Sequence, residues 1–346
     1  MTIDTLFLGG TSIDIIQDKA GDGRDRPLLN FSANVGGSVT NAAIISAKLG
    51  LKTGLLSRIG KDPLGNFARE FLDSLKIDTK AIIQDSDIRT PLAIAKIDKS
   101  GIAKYTFYKN SPEDSVVPIK SVPKYLLNTC KVFHTGSSYS YQKETFEETL
   151  KFIKYLKKRN VFISYDPNIR PNSIKIKDHL AVKNRVLTLL NLADLAKLSE
   201  TDLEYLTDRK NPLRGLKMLK KQVKSEIILT LGSKGSIYCH RSNSRSCRAR
   251  QLLELDMVKV PAFKVKVADT IGAGDAFSAG LIYSFIKQGK AKFFANIKSN
   301  MIFASAVSVI ICTQKGANQA LRSIKQVNLF LSKHSMGRVA RRRLPT

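Results

Sequence analysis

The stretch DTIGAGDAFSAG, from Asp269 to Gly280, holds three glycines, three alanines and two aspartates in twelve positions. So little side-chain bulk is costly, because glycine loses more conformational freedom on folding than any other residue. A Gly-Ala-Gly run therefore stands where a side chain would block a turn or a ligand, and something must approach the main chain of Gly272, Ala273 and Gly274. The continuation AFSAGLIYSFIKQG sets Phe277, Leu281, Ser284 and Phe285 at helical spacing, so the glycines open a helix. Unpaired N–H groups and the positive end of the helix dipole make such a start an anion site. Asp275 is the informative residue within it. A carboxylate beside a phosphate is repelled unless it has work to do, and taking a proton from an attacking hydroxyl is that work.

Other glycine motifs fit less well. A Walker A loop needs Gly-x-x-x-x-Gly-Lys-Ser/Thr, and no such string occurs. A dinucleotide fingerprint needs Gly or Ala where Phe277 stands, and it belongs after the first strand. A purely structural tight turn remains the alternative.

A chain of 346 residues, 43% hydrophobic, is long enough for one large α/β domain or two smaller ones with a substantial core. The longest apolar candidate, MIFASAVSVIIC from Met301 to Cys312, is too short to span a bilayer and reads as a buried core helix. The start MTIDTLFLGG lacks the basic and apolar regions of a secretory signal, so a cytoplasmic location is expected and no membrane partner. Cys130, Cys239, Cys247 and Cys312 are few and scattered, which argues against a disulfide framework. Cys239, His240 and Cys247 lie within nine residues, but no second pair at zinc spacing accompanies them, and they read as a reduced surface hairpin.

The net charge is +28, from 57 Lys and Arg against 29 Asp and Glu. A field of that sign attracts nucleic acid, anionic membrane or small anions without choosing among them. The excess is mostly lysine on helix faces such as KFIKYLKKRN, with one local run in the tail GRVARRRLPT. Interleaved aromatics and a recognised nucleic-acid module are missing, so a lysine-rich surface is the plainer reading.

Apolar strands alternate with amphipathic helices along most of the chain. TLFLGG reads as a strand, TNAAIISAKLG as a small-residue helix closed by Gly50, and TFEETLKFIKYLKKRN as a helix with Phe146, Leu150, Ile153 and Leu156 on one stripe. Strands VFISYDPN, LAKLS and IILTLG follow with helices NRVLTLLNLA and LRGLKMLKKQV between them. That alternation implies a mainly parallel sheet covered on both faces. Residues 11–35 and about 88–115 instead show period-2 patterning and turn residues, as antiparallel hairpins of a small β-sheet lid. The expected organisation is one domain over 1–335 and a loosely held basic tail over 336–346.

These residues resemble a known family. DTIGAGDAFSAG resembles the C-terminal signature of the ribokinase-like, or PfkB-type, carbohydrate kinases, and GGSVTNAAIISAKLG resembles their N-terminal signature, about 230 residues earlier. DPNIRP at 166–171, LTLGSKGS at 229–236 and KGA at 315–317 match further landmarks, and the resemblance covers about residues 3–330. It implies a ribokinase-like αβα sandwich with a β-sheet lid, transferring the γ-phosphoryl of ATP, with Mg2+, to an alcohol of a sugar or nucleoside.

Carried over position by position, Asp275 would be the general base, and the amides of Gly272, Ala273 and Gly274 the anion hole. Asp14, Gly36, Gly37 and Asn41 match positions that hold sugar hydroxyls, for which a carboxylate and an amide are suited partners. Arg170 is expected near the phosphates or the acceptor. Asn168, Thr230, Gly232 and Gly235 fall on the nucleotide side. Asp269 matches a place near a monovalent cation, K+ in some members, with a structural role as the alternative. Where the family often has Asn-x-x-Glu, this chain has SETD, so Asp202 is expected to meet magnesium through water.

The stretches AKYTFYKNSPED, FHTGSSYS and VFISYDPNIRP look most like the fructokinase branch, with 2-keto-3-deoxygluconate kinases a close second and ribose or nucleoside acceptors behind. Tyr105, Phe107 and Tyr108 are either sugar-stacking residues or lid core. A homodimer through the lid follows by resemblance only. The reading from another class is a kinase-like protein of weak turnover that binds nucleic acid through its basic surface.

Overall fold

The computed structural model describes residues 2–17, 31–97, 103–241 and 255–334. The basic tail and Cys247 lie outside the described residues. In chain order the strands are β1 (Thr5–Leu8), β2 (Ser12–Gln17), β3 (Phe31–Gly36), β4 (Thr53–Gly60), β5 (Ile82–Asp85), β6 (Leu92–Ile97), β7 (Ala103–Tyr108), β8 (Val132–Gly136), β9 (Phe162–Asp166), β10 (Leu195–Ser199), β11 (Glu226–Thr230), β12 (Ser236–Arg241) and β13 (Leu255–Val260). Nine of them form one sheet in the order β13-β12-β11-β10-β9-β8-β1-β4-β5. It is parallel from β11 to β5, with β12 and β13 added antiparallel at one edge.

The parallel strands are apolar because both of their faces are covered. In β1, Leu6 and Leu8 point to one core and Phe7 to the other, and Leu55 and Leu56 divide β4 in the same way. Helices Lys143–Lys157, His179–Leu192 and Pro212–Gln222 lie on the Leu6 side. Helices Ser38–Lys48, Ala273–Ala295 and Ile297–Ile311 lie on the Phe7 side. Ile297–Ile311 is the core helix expected from MIFASAVSVIIC, and no helix among the described residues is long and apolar enough to cross a membrane.

The remaining strands form a separate four-stranded sheet, β3-β2-β6-β7. The β2–β3 and β6–β7 pairs are antiparallel, and a parallel β2–β6 contact joins them. The β12–β13 hairpin carries Cys239, but that thiol is fully buried rather than on the surface, as are Cys130 and Cys312.

The small residues of Ala273–Ala295 let it approach its neighbour closely: a Cβ on Gly280 would stand 2.7 Å from Ala304 Cα. Gly280→Ala should therefore destabilise the chain by about 1–3 kcal/mol through overpacking, read as a lower urea midpoint. An unchanged midpoint would mean that the two helices have slack at this crossing.

Candidate active site

Two helices begin at the end of the large sheet where the parallel strands terminate, the usual place for a ligand in an open α/β sheet. Helix Ser38–Lys48 starts at Gly37 (φ 102°) and helix Ala273–Ala295 at Gly272 (φ 75°), and neither start has a side-chain cap. Both glycines are required twice over. Their φ values exclude ordinary residues, and a Cβ would strike Gly10 O at the first and the Ala317 main chain at the second. The result is two helix starts with uncapped N–H groups.

Asp275, in the first turn of the second helix, joins them. The Ser38 hydroxyl donates to its Oδ1 at 2.7 Å, and Asn41 Nδ2 donates to its Oδ2 at 3.0 Å. Asn168 Nδ2 donates to Ser38 Oγ at 2.8 Å, and Asn318 Nδ2 donates to Asn41 Oδ1 at 3.0 Å, which turns the Asn41 amide group toward Asp275. Burial pushes the Asp275 carboxyl up to about 6, helped by the charge of Asp166 and opposed by the Ser38 and Asn41 hydrogen bonds and by Lys197.

Asp275 opens onto a cleft of about 200 Å³ that also exposes Asp14, Gly37, Asn41, Asn168, Arg170 and Gly272. The small sheet supplies one wall through Asp14, Leu92, Ala93 and Phe107. Asp14 is 7% exposed and accepts from the Ser12 hydroxyl, and burial pushes its carboxyl up to about 7, with a contribution from Asp275. Gly36 lies across from it, and a Cβ there would collide with the Asp14 carboxylate. Phe107 lines the cleft beneath the Lys109 ammonium, 4.5 Å from the ring centroid, whereas Tyr108 is 57% exposed and outside it. The Tyr105 side chain is outside the described set.

Ser137 (φ 56°) and Asn168 (φ 41°), just beyond β8 and β9, take left-handed backbone conformations at the cleft. Such conformations cost on the order of 1–3 kcal/mol each and persist where the surroundings enforce them.

Thr230, Gly232 and Gly235 stand apart, on a tight turn after β11. Thr230 donates to Leu198 O, no atom lies within 4 Å of where a Gly232 Cβ would stand, and Gly235 (φ 97°) packs against the Val260 carbonyl.

Asp202 and Asp269 are fully buried and engaged by the chain. Asp202 closes a capping box with Ser199 and accepts from Ile169 N at 2.6 Å, so both its oxygens brace the start of helix Glu200–Thr207 and the loop after β9. Asp269 accepts from Ile271 N and Gly316 N, tying the glycine turn to the KGA segment.

Three participants escape a reading of the sequence alone. Ser38 and Asn318 are ordinary polar residues whose part shows only once four segments converge. Lys197 is a lysine inside an apolar inner strand, and its Nζ lies 2.7 Å from Asp166 Oδ2. That one charged residue in LAKLS was the available signal.

The raised Asp14 value has a consequence for stability. A folded-state value of about 7 exceeds the ordinary 3.8, so this carboxyl's contribution is whole below pH 4 and is lost as pH rises through 7. Asp14→Asn keeps an acceptor for Ser12 and removes the buried charge. It should be more stable than the parent at pH 8 by up to roughly 4 kcal/mol, with the gain vanishing by pH 4. Equal melting curves at both pH values would show that Asp14 is solvated.

Residues 3–324 match the profile of the pfkB family carbohydrate kinases. The fructokinase of Vibrio alginolyticus is 28% identical over 296 residues, covering 86% of this chain and 91% of its own, and fructokinase-1 of Zea mays is 28% identical over 305 residues, covering 86% and 88%. The fructokinase of Vibrio cholerae O395, solved with fructose, ADP and a calcium ion, superposes with a TM-score of 0.78 at 25% identity, covering 95% of this chain and 99% of that one. The Xylella fastidiosa fructokinase solved with ATP shares the fold, with a TM-score of 0.79 at 22% identity and coverage of 96% and 99%. Sequence match and fold agree over nearly the whole length, and the chain belongs to the pfkB family of carbohydrate kinases, as an ATP-dependent sugar kinase.

Proposed function

We propose that the chain transfers the γ-phosphoryl of ATP to a hydroxyl of fructose or a closely similar ketose. The observation that carries this reading is the setting of Asp275: buried, in the first turn of a helix with no side-chain cap, and hydrogen-bonded only as an acceptor. A carboxylate with two fixed donors and a raised proton affinity is suited to take the proton of an incoming hydroxyl. The amides of Gly272, Ala273 and Gly274 then face the charge that develops on the phosphoryl group in flight. Asp14 and Asn41, with the bare backbone of Gly36 and Gly37, hold the sugar, and Arg170 reaches the acceptor or the phosphates. Thr230, Gly232 and Gly235 form the nucleotide side, and Asn168 serves it indirectly by orienting Ser38.

Magnesium would arrive with the nucleotide and neutralise phosphate charge. Among the described residues no group of three His, Cys, Asp or Glu forms a metal cage, and both Asp202 oxygens are taken, so phosphate and water would complete its shell. Asp269 has each oxygen on an amide, which supports a structural part for it over a K+ site. The edge strands β3 and β7 carry exposed Phe31 and Tyr108, which supports a homodimer through the small sheet.

One observation favours an acidic acceptor such as 2-keto-3-deoxygluconate. Lys109 and Arg170 both face the cleft, and neither forms an ion pair with a carboxylate among the described residues.

Asp275→Asn should lower kcat by at least on the order of 100-fold with little change in ADP affinity. In the parent enzyme turnover should fall as pH drops through about 6, because only the deprotonated carboxylate accepts the proton. Undiminished turnover in the variant would end the base assignment. A coupled ADP-release assay on fructose, 2-keto-3-deoxygluconate, ribose and adenosine separates the acceptors. If the acid is the substrate, Lys109→Met should cut its kcat/KM by on the order of 30-fold or more while sparing fructose; equal loss on both places Lys109 at the phosphates.

A further inference from the structure

Lys197 is a buried charge that makes no hydrogen bond to Asp275 and that the proposed reaction has not yet used. It sits in β10, an inner strand of the large sheet, with 6% of its surface exposed. A lysine in that position is expensive, and its partner does not offset the cost completely. Asp166 Oδ2 takes the ammonium at 2.7 Å and the Ser278 hydroxyl at 3.3 Å, but Asp166 Oδ1 is buried with no partner. An ion pair kept only to hold the fold together gains little over an apolar pair, and one with an unsatisfied oxygen gains less.

The position of the ammonium explains its retention. Gly274 is the second residue of helix Ala273–Ala295, and unlike Gly272 it has no left-handed backbone that demands glycine. What a Cβ there would meet is Lys197 Nζ, at 2.9 Å, and no other atom outside the helix's own turn and the adjacent residues comes within 4 Å. The glycine at 274 therefore leaves room for a cation. No carboxylate oxygen approaches that point, so the positive pole of the pair is the one turned to the helix start. A helix N-terminus supplies roughly half a unit of positive charge. An ammonium fixed against it supplies a whole one.

We infer that Lys197 is the charged floor of the phosphoryl site, held by Asp166 under Gly274 so that the glycine turn presents a full positive charge to the migrating group. This rests on the phosphoryl-transfer reading of that turn. It makes Lys197 a positioning residue that acts through the Gly272–Gly274 amides, and it gives Asp166 and Gly274 their parts: one anchors the ammonium, the other makes space for it. A charge of this kind matters most when the phosphoryl is in flight, so its removal should affect turnover and leave ground-state ATP binding nearly alone.

Three variants test this: Lys197→Met, the double variant Lys197→Met with Asp166→Asn, and Gly274→Ala. The double variant removes the ammonium together with the charge of the carboxylate bonded to it, so Asp166 is not left as an unpaired anion. Steady-state kinetics should show kcat lowered by on the order of 100-fold in both Lys197 variants, with KM for ATP within about threefold of the parent. The double variant should recover the melting temperature that the single one loses, but not its turnover. Gly274→Ala keeps the amide and crowds the ammonium, so it should also lose turnover in preference to ATP binding. Recovery of both melting temperature and kcat in the double variant would overturn the inference and make the pair a brace. That outcome beside an inactive Asp275→Asn would leave the reading of the site intact; an active Asp275→Asn would remove the reading itself.

Discussion

The hydrogen bond from Ser38 to Asp275 ties together two helices that start with no side-chain cap over their first amides. Each start is bare because a glycine at positive φ turns the chain there, and each helix runs back under the sheet into the apolar core. Bringing two positive helix ends together is unfavourable unless negative charge stands between them. Asp275 supplies it. The cost of burying that carboxylate appears as its raised proton affinity, and the donors that offset it, Ser38 and Asn41 of one helix, are themselves held by Asn168 and Asn318 from two other segments. Every hydrogen in this relay points toward Asp275, so the carboxylate is left with acceptor capacity only.

The same end of the sheet concentrates other unfavourable features. Asp166, Asp202 and Asp275 surround a single lysine, and Asp166 keeps an oxygen with no partner. Ser137 and Asn168 hold backbone conformations that only glycine adopts freely. Elsewhere strand residues alternate between two hydrophobic clusters, one on each face of the large sheet. A large apolar interior can carry a small, poorly solvated polar cluster at its rim, and native proteins tend to confine such departures from local rules to functional sites.

Much of the architecture was legible from residue pattern. Inner strands buried on both faces read as continuous apolar runs, and helices such as Lys143–Lys157 carry a clean stripe, so the alternation could be followed without coordinates. The glycine string marks its own helix start in the same way, because three glycines in nine residues are tolerated only where the backbone itself must turn or be approached. Charged and polar residues were harder. SETD suggests oxygen chemistry, yet the spacing of Ser199 and Asp202 is also that of a capping box, and both oxygens of Asp202 face amides. Lys197 stood in plain view in LAKLS, but its meaning depends on register: the β9–β10 pairing runs through Ala196 and Tyr165, which brings the next residues, Lys197 and Asp166, side by side. Register between non-adjacent segments is not written in any local period. Cys239 illustrates the same limit, since a hairpin pattern does not say which face is covered.

The division of labour between the two sheets follows from one peptide step. Gly36 ends β3 in the small sheet, packed against the Asp14 carboxylate, and Gly37 caps the helix whose first residue, Ser38, donates to Asp275. A sugar hydroxyl that donates to Asp14 would lower its raised proton affinity and fix its charge. Asp14 and Asp275 sense one another electrostatically, so ionising one makes the other a stronger base. If the sugar binds as proposed, it would act on Asp275 through both the charge of Asp14 and the strand that leads into Ser38. Residues that vary the fit, such as Phe107 and Lys109, sit on or just beyond β7, away from the hydrogen bonds that join the two glycine-capped helix starts. Acceptor preference can thus change on the small sheet while the phosphoryl machinery, anchored in the large one, stays as it is.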